Sequence, residues 1–108
     1  MVHNVVKNKR FLQSPKRASA TSRRALLDKA SDSEIKTVQE VALNVVKSRI
    51  PLPKRTIIKL KPHKAVIKQL AAKKGSIKSK RKLLVQKGGF LPVLLTTALA
   101  YLANELTN

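Results

Sequence analysis

The stretch from Ser76 to Leu95, SIKSKRKLLVQKGGFLPVLL, divides the chain into two parts of opposite character. It begins as a basic segment that ends at Lys87, breaks at Gly88-Gly89 and resumes at Phe90 as an almost uncharged run. All 24 Lys and Arg residues and four of the five acidic residues precede Gly88, so residues 1–87 carry +20 and residues 88–108 carry −1. Each glycine costs a helix about 1 kcal/mol relative to alanine. The glycine pair therefore predicts a flexible, accessible junction between two physical regimes.

The charge of the chain is its most unusual property. The 108 residues carry a formal net charge of +19. Between Lys47 and Lys87 there are 15 Lys and Arg residues and no Asp or Glu, so this stretch cannot neutralise its own charge. Such self-repulsion opposes a compact state and favours a polyanionic partner. Nucleic acid is the first candidate and an anionic membrane surface is the second.

The residue types needed for most catalytic and metal chemistry are scarce. The chain has no cysteine, which removes disulfides, thiolate metal sites and cysteine nucleophiles. The histidines, His3 and His63, are far apart and lack a carboxylate cluster. We find no carboxylate pair, no nucleophile–histidine–acid set and no phosphate-binding glycine loop. We therefore expect neither enzymatic activity nor a metal ion or other cofactor.

The clearest local element is a helix that starts at Ser31-Asp32-Ser33-Glu34. Ser31 and Glu34 have the spacing of a capping box, and the acids favour the positive end of the helix dipole. The helix is predicted to run to about Ser48. Its apolar residues recur at three- and four-residue spacing and form one stripe, which comprises Ile35, Val38, Val41, Ala42, Val45 and Val46.

The remaining patterns predict an all-α chain with short helices in a small basic domain, a disordered N-terminal arm and an apolar C-terminal helix. We expect helices over Pro53–Lys61, with a strand as the alternative, over Pro62–Lys74 and over Ile77–Lys87, with Ser76 as the N-cap of the last. Ile57, Ile58 and Leu60 should form the inner side of the first of these helices. The predicted segments are a mobile basic arm (1–30), a basic helical domain (31–87), and the Gly-Gly junction with its apolar helix (88–108).

The arm allows several interpretations. Its Ser-, Lys- and Arg-rich composition, with no acid before Asp28 and a helix break at Ser14-Pro15-Lys16-Arg17, is typical of a disordered segment. It is a solvated tail, a nucleic-acid-binding arm, a nuclear address or a mitochondrial transit peptide. Ser22–Lys29 is predicted to form a short helix within it.

The basic domain predicts a surface that binds the nucleic-acid backbone. The 17 Lys outnumber the 7 Arg, and lysine is a point charge suited to phosphate neutralisation rather than to reading base edges. The aromatic residues are Phe11, Phe90 and Tyr101, so stacking on single-stranded bases is poorly supported. The candidate nucleic-acid-binding residues are Lys54, Arg55, Lys59, Lys61, Lys64, Lys68, Lys73, Lys74, Lys78, Lys80, Arg81, Lys82 and Lys87.

The tail forms an apolar helix. Phe90–Ala103 is fourteen residues without charge, which is short for a membrane-spanning helix of about 20 residues. It either packs on the domain, packs on a second copy of the chain, or lies in a membrane interface. The candidate residues for membrane contact or self-association are Phe90, Leu91, Leu94, Leu95, Leu99 and Leu102.

The junction resembles that of the adenovirus core peptide mu precursor, in which a basic segment is followed by Gly-Gly and an apolar Leu- and Pro-rich tail. The similar stretch here is Lys87–Leu95. From Val41 to Leu95 the chain also resembles small basic proteins of Maverick/Polinton- or adintovirus-like elements, chiefly in Val41–Val45, Ile50-Pro51-Leu52 and Lys80–Gln86.

The resemblance implies a virion core protein that condenses double-stranded DNA, with RNA as another ligand and capsid proteins as further partners. It implies a virion or nuclear location. It also makes Gly88 and Gly89 a candidate protease junction, although Gln86 stands where such sites carry an aliphatic residue. Two rival hypotheses remain, which are a mitochondrial or organellar ribosomal protein and the precursor of a membrane-active peptide.

Overall fold

A computed structural model of the chain describes residues 2–14 and 19–107, with the side chains of residues 4–14 and 19–103. These residues are almost entirely helical and include no strand, which confirms the all-α prediction. Short 3₁₀ turns at Lys61–His63 and Gly88–Phe90 each connect two successive helices. The helices are α1 (Val2–Lys7), α2 (Lys9–Gln13), α3 (Ala20–Lys29), α4 (Asp32–Val46), α5 (Lys54–Leu60), α6 (Lys64–Ala71), α7 (Ile77–Lys87) and α8 (Leu91–Thr107).

The start of α4 confirms the predicted capping box. The Glu34 amide donates to Ser31 Oγ over 3.1 Å, and the Ser31 amide donates to Glu34 Oε1 over 2.8 Å. The helix ends at Val46, two residues before the predicted end, because Ser48 takes a φ of +58° and turns the chain away. The next two amides, of Arg49 and Ile50, donate to the Asn44 carbonyl and close the turn. Local polar contacts thus define both ends of this helix.

Helix α4 lies at the centre of the fold because other helices pack around its apolar stripe. It contacts α6, α7 and α8 as well as α1 and α2. Ile35, Val38, Val41 and Ala42 are completely or almost completely buried, whereas Val45 is half-buried and Val46 is exposed. The stripe predicted from the sequence is therefore the core face over its first three turns, and it emerges at the surface at its C-terminal end.

Parts of the N-terminal segment pack on the helical domain. Val5, Leu12 and Leu27 are buried in the same core as α4, and Asn8 Nδ2 donates to Thr37 Oγ1 over 2.8 Å. These residues belong to short apolar groups separated by basic and polar residues, so composition alone indicated that the segment could not offset its ordering entropy. The faces of α4, α7 and α8 supply the missing contacts. The predicted break at Ser14–Arg17 lies largely outside the described residues.

The C-terminal helix confirms the predicted apolar element, but it packs into the same core as the basic helices. Phe90, Leu91, Leu94, Leu95 and Leu102 are buried in the core shared with α4. Helix α8 packs against α2, α4 and α5, and Gly88 is buried while Gly89 is exposed. The expected flexible junction is a 3₁₀ turn because Phe90, one residue beyond the glycines, is anchored in the core.

The middle helices follow the predicted order with shifted bounds. Residues 54–60 are a helix and not a strand, and Pro53 precedes it rather than opening it. Helix α6 ends at Ala71, and the loop after it turns at Gly75, which has a φ of +93°. Ser76 Oγ then accepts from the Ser79 amide over 3.1 Å, so the predicted cap of α7 is confirmed.

The core role of α4 is tested by the change Val41→Asp. Val41 is 1% exposed, so an aspartate there would bury an uncompensated charge. We expect a loss of more than about 3 kcal/mol in the free energy of unfolding, measured by denaturant titration. The matched control is Val46→Asp, which lies on the same helix at 43% exposure and should change stability little. Equal stability of the two variants would contradict the assigned core face.

The shared core is tested by ending the chain at Lys87. The truncated protein loses six buried side chains of the cluster around α4 and exposes the faces of α2, α4 and α5 that α8 covers. We expect loss of cooperative thermal unfolding and association in sedimentation experiments. Gly89→Ala in the full-length chain is the control, because an added Cβ meets no atom within 4 Å. A truncated protein that stays monomeric and melts cooperatively would restore the hypothesis of two regimes.

Candidate nucleic-acid interface

The candidate basic residues lie on α5, α6, α7 and the loops between these helices. Most of their side chains project into solvent, as a surface that contacts phosphates requires. Two, Lys80 and Arg81, do not, and their partners are described below. The exposed candidates are Lys54, Arg55, Lys59, Lys61, Lys64, Lys68, Lys73, Lys74, Lys78, Lys82 and Lys87.

The fold brings part of this set together around a groove between the end of α4, α5 and α6. Lys54, Lys61, Lys64 and Lys68 line this groove. Lys68 also borders an adjacent hollow, which is lined by Lys73 and by Lys47. The two depressions share Lys68, so these six ammonium groups form a continuous basic surface, which we call the groove surface.

Four of the other exposed candidates form pairs on single helices, whereas Lys74 lies in the loop after α6 and Lys87 at the end of α7. Arg55 and Lys59 on α5, and Lys78 and Lys82 on α7, are four residues apart and therefore project from one helix face. Exposed basic side chains outside the candidate set extend the positive charge over the other helices. The sequence showed most of them as part of the basic arm (1–30) or of the acid-free stretch that begins at Lys47. They are Lys7, Lys9, Arg10, Arg24, Lys29, Lys36, Lys47 and Arg49.

Lys80 corrects the prediction that it contacts nucleic acid. It is 4% exposed, and Nζ donates to the Gln69 carbonyl over 2.5 Å and to the Ala72 carbonyl over 2.7 Å. It therefore satisfies carbonyl groups at the C-terminal end of α6, where the helix dipole favours a cation. Burial lowers the pKa of the Lys80 ammonium below its ordinary value of 10.5. The desolvation of the charged amine thus lowers the free energy of unfolding at neutral pH. This loss is relieved as the pH rises from the lowered pKa towards 10.5.

Arg81 is also directed inward. Its guanidinium donates to the Leu27 carbonyl over 3.0 Å and to the Ala30 carbonyl at the end of α3. It also pairs with Asp32 over 3.0 Å in the first turn of α4. Because the Asp32 side chain is 81% exposed, the ion pair itself contributes little, and the carbonyl contacts are the main role of Arg81. Two adjacent basic residues of α7 thus complete the ends of two other helices.

The acidic side chains leave the exposed cations unneutralised. Among the described residues Arg81–Asp32 is the one salt bridge. Glu34 is engaged in the capping box of α4, and Glu40 accepts from Asn4 Nδ2 over 3.1 Å. The lysines of the groove surface therefore have no carboxylate partner in the part of the chain that the structure describes.

The other candidate sites are placed differently. The protease junction is half concealed, because Gly88 and Phe90 are buried on either side of the exposed Gly89. Cleavage after Gly89 would require local unfolding. The candidate membrane-contact residues are buried, apart from Leu99, which is half-buried. They therefore serve the core and not an exposed apolar face.

Helix α5 also corrects the sequence prediction. Leu60 is buried as expected, but Ile57 and Ile58 are 53% and 62% exposed. Thr56 is buried in their place, and its hydroxyl lies 3.4 Å from that of Thr97 on α8. The orientation of α5 is thus set by its contact with α8, which the apolar pattern of a seven-residue helix could not reveal.

Two other kinds of site concern different residues, namely a membrane-spanning helix and a metal site. Helix α7, the 3₁₀ turn and most of α8 together form a helical stretch, Ile77–Ala103, that is long and apolar enough to cross a membrane. The buried core helix of a soluble protein can have the same length and composition. Among the side chains described, no three His, Cys, Asp or Glu residues group as metal ligands. The side chain of His3 lies outside those described.

Comparison of the chain with protein-family models, with curated proteins and with solved structures finds no match.

The internal role of Lys80 is tested by the change Lys80→Met, which keeps the aliphatic stem and removes the amine. We expect a loss of about 1–3 kcal/mol in the free energy of unfolding, because the carbonyls at the end of α6 lose their partner. The matched control Lys78→Met removes an exposed charge two residues away and should change stability by less than about 0.5 kcal/mol. If Lys80→Met left stability unchanged and weakened nucleic-acid binding, the original assignment would be restored.

Proposed function

We propose that the protein binds nucleic acid through the phosphate backbone and condenses it, with double-stranded DNA as the principal ligand. The observation that carries this proposal is the set of exposed lysines that have no carboxylate partner among the side chains the structure describes, in a chain of net charge +19. Each contact of such a lysine with a phosphate releases condensed counterions, which drives binding without regard to sequence.

The type of basic residue supports binding without sequence recognition. The groove surface consists of lysines, and Arg81 is engaged inside the protein. Arginine is the side chain that reads guanine bidentately, whereas lysine acts as a point charge. The exposed arginines, such as Arg10, Arg24 and Arg55, are dispersed over different helices. This distribution favours neutralisation over base readout.

The size of the protein supports condensation in addition to binding. The folded chain measures 34 × 29 × 29 Å. Duplex DNA presents one charge per 1.7 Å of its axis, so a 34 Å length carries about 20 phosphate charges, close to the net charge of one protein molecule. Exposed basic residues on α1, α2 and α3 as well as on α5, α6 and α7 allow one molecule to contact more than one duplex.

The biological setting that we propose is the core of a DNA virus or virus-like element. The resemblance to the mu precursor and to small basic proteins of such elements supports this setting, with capsid proteins as partners and a virion or nuclear location. An organellar ribosomal protein would use the same charge to bind RNA. Both settings require a binding protein rather than an enzyme.

The proposal predicts steep salt dependence. If the protein neutralises about 6–10 phosphates, its affinity for duplex DNA should fall by about 10³–10⁵ between about 50 and 200 mM salt. The double variant Lys64→Gln/Lys68→Gln should lower the slope of log affinity against log salt by about 2. Fluorescence anisotropy with two unrelated duplexes and one RNA duplex measures these quantities. An affinity independent of salt, or confined to one duplex, would contradict the proposal.

The same titration can detect condensation. We expect light scattering to rise steeply near one protein molecule per about 10 base pairs, where the charges match. The double variant should need proportionally more protein. Binding that saturates without scattering would contradict condensation while leaving backbone binding intact, and tighter binding to RNA would favour the ribosomal alternative.

A further inference from the structure

The groove between α4, α5 and α6 has an apolar floor that phosphate binding does not explain. It has a volume of about 520 Å³, and Val45, Leu52 and Ile67 line it together with the lysines. Three large aliphatic side chains that the structure leaves exposed lie in it, namely Val46, Ile57 and Ile58, at 43%, 53% and 62% exposure. Clustered exposed apolar residues with a polar rim mark interaction sites in soluble proteins.

The exposure of the two isoleucines follows from how α5 is held. Its inner positions are Thr56, which meets Thr97 of α8, and Leu60, which is buried in the core. Ile57 and Ile58 follow Thr56 directly and project outward. Within the described residues no helix covers them, so the groove presents an unpartnered apolar surface.

The rim of the groove indicates the charge of its occupant. Lys54, Lys61, Lys64 and Lys68 line the groove, and no Asp or Glu of the described part of the chain does. A second copy of this chain would bring the same lysines and the same net charge to the interface, which repulsion disfavours. The occupant should therefore be acidic around its edge and apolar at its centre.

We propose that this groove binds an amphipathic acidic helix of a partner protein. Three anchors of such a helix, spaced at i, i+3 or i+4 and i+7, would cover Val46, Ile57 and Ile58, while its carboxylates pair with the rim lysines. A concave groove suits a helix better than it suits a flat bilayer surface. Duplex DNA supplies the negative charge but has no apolar ridge to fill the floor. The groove thus recognises a protein by apolar burial added to charge.

The proposal has a consequence for nucleic-acid binding. Lys61, Lys64 and Lys68 cannot pair with carboxylates and phosphates at the same time. Occupation of the groove by the partner helix therefore removes part of the groove surface from DNA, while the pair Lys78 and Lys82 on α7 remains available. The partner and DNA should compete, but the competition should be incomplete.

The probe for this proposal is a synthetic peptide of about 15 residues. It has leucines at i, i+3, i+4 and i+7 and Asp or Glu at most other positions. The comparison peptide has the same composition with the leucines scattered around the helix. We expect the full-length protein to bind the amphipathic peptide at least about tenfold more tightly than the scattered one. The preference should persist when salt is raised, because apolar burial is not screened.

Matched variants separate the groove from general charge. Ile57→Ser/Ile58→Ser should abolish the preference for the amphipathic peptide and leave affinity for duplex DNA unchanged. The control Val6→Ser removes an aliphatic side chain of similar exposure, 54%, on α1 outside the groove, and should keep the preference. Circular dichroism of both variants verifies that the helices are retained.

Three results would overturn the proposal. One is equal binding of the two peptides by the unaltered protein, which reduces the interaction to charge. Another is a preference that survives Ile57→Ser/Ile58→Ser, which places it elsewhere. The third is no preference between peptides together with isoleucine-dependent binding to vesicles containing anionic phospholipid, which would assign the groove to a membrane surface. Loss of the preference in the groove variant alone supports the proposal.

Discussion

The fold depends on the burial of one apolar stripe on α4 in a chain whose charge opposes compaction. Ile35, Val38, Val41 and Ala42 are in contact with helices from both ends of the sequence. The net charge of +19 adds repulsion to the usual entropic cost of folding. A domain of this size has only about 5–15 kcal/mol of net stability. Apolar burial on α4 alone therefore does not offset the entropic and electrostatic costs of folding. The leucines of α8, the apolar residues of α1 to α3 and buried side chains of α5, α6 and α7 supply further parts of the core.

Helix α7 shows how the chain uses part of its charge to fold. Lys80 and Arg81 point inward and satisfy carbonyls at the ends of α6 and α3. Lys78 and Lys82, on the other side, remain in solvent. A run of basic residues thus contains two populations, one that completes helix ends and one that remains free for a polyanion. Because both populations occur on one helix, a count of its basic residues overestimates how many of them can bind a polyanion.

The two proposed ligands, nucleic acid and an acidic helix, bind through different interactions at different parts of the surface. Lysines spread over several helices suit a ligand whose charge repeats along a line, and the resulting affinity depends on salt rather than on sequence. The groove of α4, α5 and α6 adds exposed isoleucines to its lysines and so suits a ligand with an apolar ridge. Since the two ligands share Lys61, Lys64 and Lys68, a protein partner would modulate how tightly nucleic acid is held.

The sequence by itself determined helices α3 to α8, because capping residues, glycine and proline signals and apolar spacing act within a few residues. Ser31, Ser76 and the stripe of α4 were all correctly predicted in this way, as was the all-α class. Only the tertiary structure decided which apolar residues are covered and which charges are free. Val5, Leu12 and Leu27 are buried by faces distant in sequence, Ile57 and Ile58 are exposed because Thr56 and Leu60 meet the core, and Lys80 is withdrawn by the end of α6. These outcomes depend on contacts between helices that are distant in sequence. Local sequence patterns and composition carry no information about such contacts.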